Sequence, residues 1–181
     1  CGPRPAAEVL IEGLRRLEYR GYDSAIICVG IDHSLTTIKR KGKIRDLKEV
    51  VPDYLTGSYG IGHTRWATHG EVNDYNAHPH TDGAGTLAVV HNGIIENFNS
   101  LKEKLKSEGF VFKTDTDSEV IAHLIAKCYD GNLEKAVRES VLLLKGTYGI
   151  ACVHAEEPDK IVGARNGSPL VVGIGEGEMF L

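Results

Sequence analysis

Thr86-Leu87-Ala88-Val89-Val90-His91-Asn92-Gly93 is the stretch that decides the fold class. A short apolar run bounded by polar residues reads as a buried strand over Thr86–His91, and Asn92-Gly93 behind it is a strong turn signal. Working outward, Tyr59–Thr64, Ser24–Val29 and the polar, β-branched Thr36–Lys41 read as further strands, the last of them at an edge. A long polar loop from about Ala67 to Gly85 precedes the central strand. Before the strands, Leu10, Leu14 and Leu17 share one face of a helix that follows Pro3 and Pro5, and Ile44–Val51 reads as a short helix. After them, Phe98, Leu101 and Leu105 mark an amphipathic helix closed by Gly109. Thr116 with Glu119 forms a capping box for a second helix, with Val120, Ile121, Leu124 and Cys128 inward. Leu133, Val137, Val141 and Leu144 give a third helix, ended by Gly146. Tyr148–His154, Lys160–Ala164 and Leu170–Ile174 then return to strand. Strands, then helices, then strands predict an α+β fold with antiparallel sheets rather than strict βαβ alternation.

The chain has 181 residues, 41% hydrophobic and 25% charged, with a net charge of −4. That suits one soluble domain with a sizeable core. Without a long basic run, nucleic-acid binding has no electrostatic support. The longest apolar runs, Val141–Leu144 and Leu87–Val90, are too short to span a bilayer, so no membrane partner is expected. The four cysteines, Cys1, Cys28, Cys128 and Cys152, form no CxxC pair. Cys28, Cys128 and Cys152 sit in apolar settings, which fits a reducing, cytoplasmic location without a disulfide framework. The C-terminal run Met179–Leu181 carries no turn or cap signal, and the expectation is a domain cut short there.

Cys1 puts a thiol and a free α-amine on one residue. The amine has an ordinary pKa of about 8 against about 10.4 for lysine, so part of it is neutral at physiological pH and can act as a base. The thiol is a strong nucleophile. Three further segments gather polar groups where strands meet loops: Arg20-Gly21-Tyr22-Asp23-Ser24, His63 through Gly70, and His91-Asn92-Gly93-Ile94. Arg65 is a fixed-charge partner for a carboxylate, or else a surface ion pair. Asn92-Gly93 is either a hairpin turn or an oxyanion hole, in which the Asn92 amide and the Gly93 N–H face an oxygen that turns negative. The histidines do not follow zinc-site spacing, so no metal is expected. Gly173 to Gly177 precede no helix, which argues for a loose turn over a dinucleotide loop.

Read together, these segments resemble the glutaminase domain of the glutamine–fructose-6-phosphate aminotransferases. The matching text is Gly13 through Ala25, His63 through Gly70, Asn76-Ala77-His78-Pro79-His80, His91 through Asn97, Thr116-Asp117-Ser118-Glu119 and Gly167-Ser168-Pro169-Leu170. It covers nearly the whole chain. Related purine and asparagine amidotransferases share the N-terminal Cys and the Asn-Gly element.

The resemblance implies a four-layer αββα sandwich of two antiparallel sheets, of the N-terminal nucleophile hydrolase type. Residues 1–181 would be a glutaminase domain incomplete at its C-terminus, with the sugar isomerase domain absent. It implies hydrolysis of the L-glutamine side-chain amide through a thioester on Cys1, with no cofactor. In the full-length enzyme, expected as a homodimer, the ammonia would convert fructose 6-phosphate to glucosamine 6-phosphate. By position, Cys1 would be the nucleophile, and Asn92 and Gly93 the oxyanion hole. Arg65 would hold the glutamine α-carboxylate and Asp117 its α-ammonium. Trp66, Thr68 and His69 would line the pocket, with Arg20 supporting it. Two departures stand out. Gly2 runs straight into Pro3-Arg4-Pro5, where the family has a short apolar strand anchoring the nucleophile, and Ile26 stands where glycine is expected. The alternatives are a glutamine- or glutamate-binding module with impaired catalysis, another class II amidotransferase, or a histidine-rich metal-binding protein.

Overall fold

The fold was obtained as a computed structural model that describes residues 1–20, 24–65 and 78–181; the side chains of Arg20 and Arg65 also lie outside the described set. The first sheet is built on β1 (Ser24–Ile31), buried from Ser24 to Gly30. A strand covered on both faces is apolar without a break, and Ala25-Ile26-Ile27-Cys28-Val29 meets that demand. β2 (Ser34–Lys41) pairs antiparallel on one side of β1 and β3 (Tyr59–Arg65) on the other. Lys39, Arg40 and Lys41 sit on β2, an edge strand, where charge discourages further pairing.

The second sheet runs β4 (His80–Thr81), β5 (Leu87–Ile95), β6 (Gly146–His154) and β7 (Val162–Asn166), all antiparallel. Its spine is a nine-position pairing from Leu87 opposite His154 to Ile95 opposite Gly146. Three apolar clusters then define four layers. Helices α1 (Ala6–Leu17) and α2 (Ile44–Lys48) cover the outer face of the first sheet, with Leu14, Ile44 and Leu47 against Ala25, Ile27 and Val29. Between the sheets lie Cys28, Tyr59, Ile61, Ala88 and Val153. Helices α3 (Phe98–Ser107), α4 (Glu119–Cys128) and α5 (Leu133–Val141) cover the second sheet with the largest cluster, which includes Leu105, Ile121, Ile125 and Leu133. The αββα sandwich expected from the sequence is the architecture observed. Among the described residues, no helix is long and apolar enough to cross a membrane.

Several elements differ from their sequence-based outlines. The polar loop holds the two-residue strand β4, while residues 66–77 lie outside the described set. The expected strand Leu170–Ile174 shrinks to β8 (Gly173–Ile174), paired with β9 (Met179–Phe180), so the late glycines form a hairpin turn. The Thr116–Glu119 capping box does not form. Glu119 instead accepts from the Lys113 and Thr114 amides and the Thr114 hydroxyl, tying the incoming loop to α4. Ile26 lies within β1 opposite His63, wholly buried, and not in a turn.

Candidate active site

Asn92-Gly93 is not a hairpin turn. β5 continues through both residues, with Asn92 opposite Gly149 and Gly93 opposite Tyr148. Gly93 has a φ of +139°, and a β-carbon there would stand 2.1 Å from the Thr147 carbonyl oxygen. Only glycine lets the two strands approach so closely in that conformation. The Asn92 side chain is exposed, yet its Oδ1 is 3.0 Å from His63 Nε2 on β3. The two sheets therefore meet through a polar pair at this end of the sandwich.

Asp117 arrives from the loop that leads into α4 and is buried. Its Oδ2 accepts from the Ile95 amide at 2.7 Å, and its Oδ1 accepts from the Ser118 hydroxyl at 3.3 Å. Ile95 is two residues beyond Gly93, so the carboxylate is fixed to the strand that carries Asn92. Ser118 Oγ also meets His91 Nδ1 at 2.7 Å and His78 Nε2 at 3.0 Å. His80 Nε2 meets Thr116 Oγ1 at 3.0 Å. Burial, with Lys39 adding to it, pushes His80 down to about 3. Burial also lowers His91, and Asp117 opposes the shift. These two rings are neutral at physiological pH, and the carboxylate charge of Asp117 is not cancelled by them. Among the described residues no group of three or more His, Cys, Asp or Glu is placed to hold a metal ion.

Cys1 is placed elsewhere along the same inter-sheet space. Its α-amine donates to the Met179 carbonyl at 2.9 Å, and its carbonyl accepts from the Met179 amide at 2.8 Å. Gly2 donates to the Ser58 carbonyl at 3.0 Å. Ser58 is five residues before His63, roughly 16 Å along an extended strand. The Cys1 side chain packs against the cluster of Tyr59, Ile61, Ala88 and Val153, and shares an apolar groove of about 440 Å³ with Gly60, Gly62, Leu14 and Val90. In this arrangement the Cys1 hydrogen bonds go to Met179 and not to Asn92 or Gly93. Pro3-Arg4-Pro5 is all that lies between Gly2 and the start of α1. Burial lowers the Cys1 amine from its ordinary value, outweighing Glu178 and Asp159, so more of it is neutral and able to take a proton at physiological pH. Burial drives Cys28 up to about 11 and Cys152 up to about 12, which removes both as nucleophiles.

Arg65 has its backbone at the end of β3 opposite Ser24, on the His63 side, and its side chain lies outside the described residues. Trp66, Thr68 and His69 lie outside them as well, as does the side chain of Arg20. Asn92, Gly93 and Asp117 are brought together. His63, His78, His91 and Ser118, which link them, were visible only as members of motifs, because their meeting depends on long-range contacts between loops.

This geometry agrees with the comparisons. Residues 63–181 match the glutamine amidotransferase domain. The chain is 56% identical over 181 residues to a glutamine–fructose-6-phosphate aminotransferase (isomerizing) of Symbiobacterium thermophilum and 54% identical over 178 residues to that of Aquifex aeolicus. These alignments cover 99% and 97% of the chain but only 30% of each relative, so the chain spans about a third of their length. Among solved structures, the glutamine phosphoribosylpyrophosphate amidotransferase of B. subtilis superposes with a TM-score of 0.77 at 30% identity, covering 91% of this chain and 36% of that one.

Proposed function

The chain belongs to the glutamine amidotransferase family, and from that membership we propose that it splits the side-chain amide of L-glutamine at the Asn92–Gly93 end of the sandwich. The observation that carries the proposal is the unbroken strand through Asn92-Gly93, exposed at Asn92 and fixed to Asp117 two residues on. Glutamine is a zwitterion. Arg65 holds its α-carboxylate and Asp117 its α-ammonium, with Trp66, Thr68, His69 and Arg20 around them. The side-chain amide then points to Asn92 and Gly93.

A thiolate adds to the amide carbon, and the carbonyl oxygen takes the negative charge opposite the Asn92 and Gly93 donors. The C–N bond breaks as the leaving nitrogen takes up the proton that the thiol released to the α-amine. Ammonia departs and a γ-glutamyl thioester remains. Water adds to it, the C–S bond breaks, and glutamate and free thiol result. Cys1 is the residue with both thiol and lowered amine, and to act it must leave its pairing with Met179. In a longer protein the ammonia serves amination of fructose 6-phosphate, a reaction of the relatives' remaining two thirds, in a cytoplasmic homodimer.

The placement of Cys1 favours a second reading, in which the chain as folded here binds glutamine without hydrolysing it. Incubation with an electrophilic glutamine analogue, followed by peptide mass mapping and an ammonia assay, separates the two. The proposal expects an adduct on Cys1, protection by glutamine, and glutamate and ammonia in equal amounts. Glutamine binding with no adduct and no ammonia establishes the second reading.

A further inference from the structure

We infer that His63 is a positioning residue that fixes which end of the Asn92 side chain faces the substrate. This rests on the glutaminase reading and goes beyond it, since that reading gives His63 no role. An asparagine amide can turn over about its last bond. With Nδ2 toward the substrate it donates to an oxyanion; with Oδ1 there, a carbonyl dipole opposes the same charge. His63 Nε2 lies 3.0 Å from Asn92 Oδ1. Oδ1 only accepts, so Nε2 carries the ring hydrogen, and the bond holds the oxygen against β3. Nδ2, on the other branch of the amide, is left for the substrate.

The neighbouring ring enforces that state. His78 Nδ1 is 3.4 Å from the same His63 nitrogen. With hydrogen on His63 Nε2, His78 Nδ1 must be bare, and the His78 hydrogen is on Nε2, donating to Ser118 Oγ at 3.0 Å. The Ser118 hydroxyl donates to Asp117 Oδ1, and its oxygen also lies 2.7 Å from His91 Nδ1. A continuous set of hydrogen bonds then runs from Asp117 to Asn92. The residue that holds the ammonium and the residue that holds the oxyanion are joined through the rings of His78 and His63. His63 is buried on β3 opposite the wholly buried Ile26, so the ring has little room to leave this geometry.

The test compares His63→Leu, which removes the donor, with His63→Gln, whose amide nitrogen reaches about where Nε2 does. Steady-state glutamine hydrolysis and Tm are measured for both, and ring-nitrogen NMR reads the His63 tautomer in the unsubstituted protein. His63→Leu is expected to lower kcat by about 10- to 100-fold, less than loss of the donor itself, with KM and Tm little changed. His63→Gln is expected to recover most of that loss, and the NMR to show hydrogen on Nε2. A His63→Leu variant with undiminished kcat, a loss that follows Tm, or a tautomer with hydrogen on Nδ1 would overturn the inference. If the unsubstituted protein hydrolyses no glutamine, the glutaminase reading fails, while the tautomer still decides the positioning of Asn92.

Discussion

At the scale of single residues, Gly93 and Asp117 carry the sharpest constraints. A β-carbon at Gly93 meets backbone on the neighbouring strand, not the end of a flexible side chain. Gly93→Ala is therefore expected to cost roughly 2–4 kcal/mol from overpacking and an unfavourable φ, read from denaturant unfolding. A change below 0.5 kcal/mol would show that β5 and β6 part easily. Asp117 has two duties, because its carboxylate both accepts from Ile95 and is to meet the glutamine ammonium. Asp117→Ala would confuse them by leaving a buried amide unpaired. Asp117→Asn keeps an acceptor for Ile95 and removes the charge. It is expected to raise KM for glutamine at least tenfold with kcat and Tm nearly unchanged. The same KM-dominated pattern is expected for Arg65→Ala. A kcat effect without a KM effect in either variant would contradict the assignment of these residues to binding.

At the scale of elements, acid sensitivity concentrates where α4 meets its preceding loop. Burial alone would raise Glu119, but the His123 ring 3.6 Å away and hydrogen bonds from Lys113 and Thr114 outweigh it and hold the carboxyl at about 2. A carboxyl depressed on folding stabilises above its unfolded pKa, and the contribution is lost as pH falls from about 4.5 to 2. The sum is at most about 3 kcal/mol. His80 acts in the same direction, since a buried neutral imidazole is protonated more readily in the unfolded chain as pH falls from about 6.5 toward 3. Unfolding free energy measured from pH 7 to pH 3 should fall, and Glu119→Gln should flatten the lower part of that curve. An unchanged slope in Glu119→Gln would remove Glu119 as the cause. The elements themselves were largely legible in the sequence, because periodicity and glycine stops report local structure: α1, α3, α5, β1 and β3 lie within a few residues of their expected bounds. The Thr116–Glu119 box was misread because Glu119 found amides in the loop before it. Asn92-Gly93 could not be told from a hairpin turn, because the strand partner that forbids a turn, Thr147 to Gly149, is more than 50 residues away. The network of His63, His78 and Ser118 left no local trace for the same reason.

At the scale of the whole molecule, the four layers put Asn92, Gly93 and Asp117 at one end, and Cys1 is held by Met179 with Gly2 bonded to Ser58. The end with Asn92 is where glutamine chemistry is assigned, and no sugar site is assigned to this chain. Glutamine hydrolysis by the 181-residue chain is accordingly expected to be insensitive to fructose 6-phosphate. A change in KM or kcat on adding the sugar phosphate would place part of a sugar site here. The central claim is that the amide is split against Asn92. The most direct measurement is kcat for glutamine hydrolysis, alongside Tm, in Asn92→Ala and Asn92→Asp. An oxyanion donor acts in the transition state, so Asn92→Ala should lose roughly 10²–10³ in kcat, about 3–4 kcal/mol, at unchanged KM and Tm. Asn92→Asp should be nearly inactive, because it sets a carboxylate against a developing negative charge. An active Asn92→Asp, or an Asn92→Ala whose loss follows unfolding, would contradict the account.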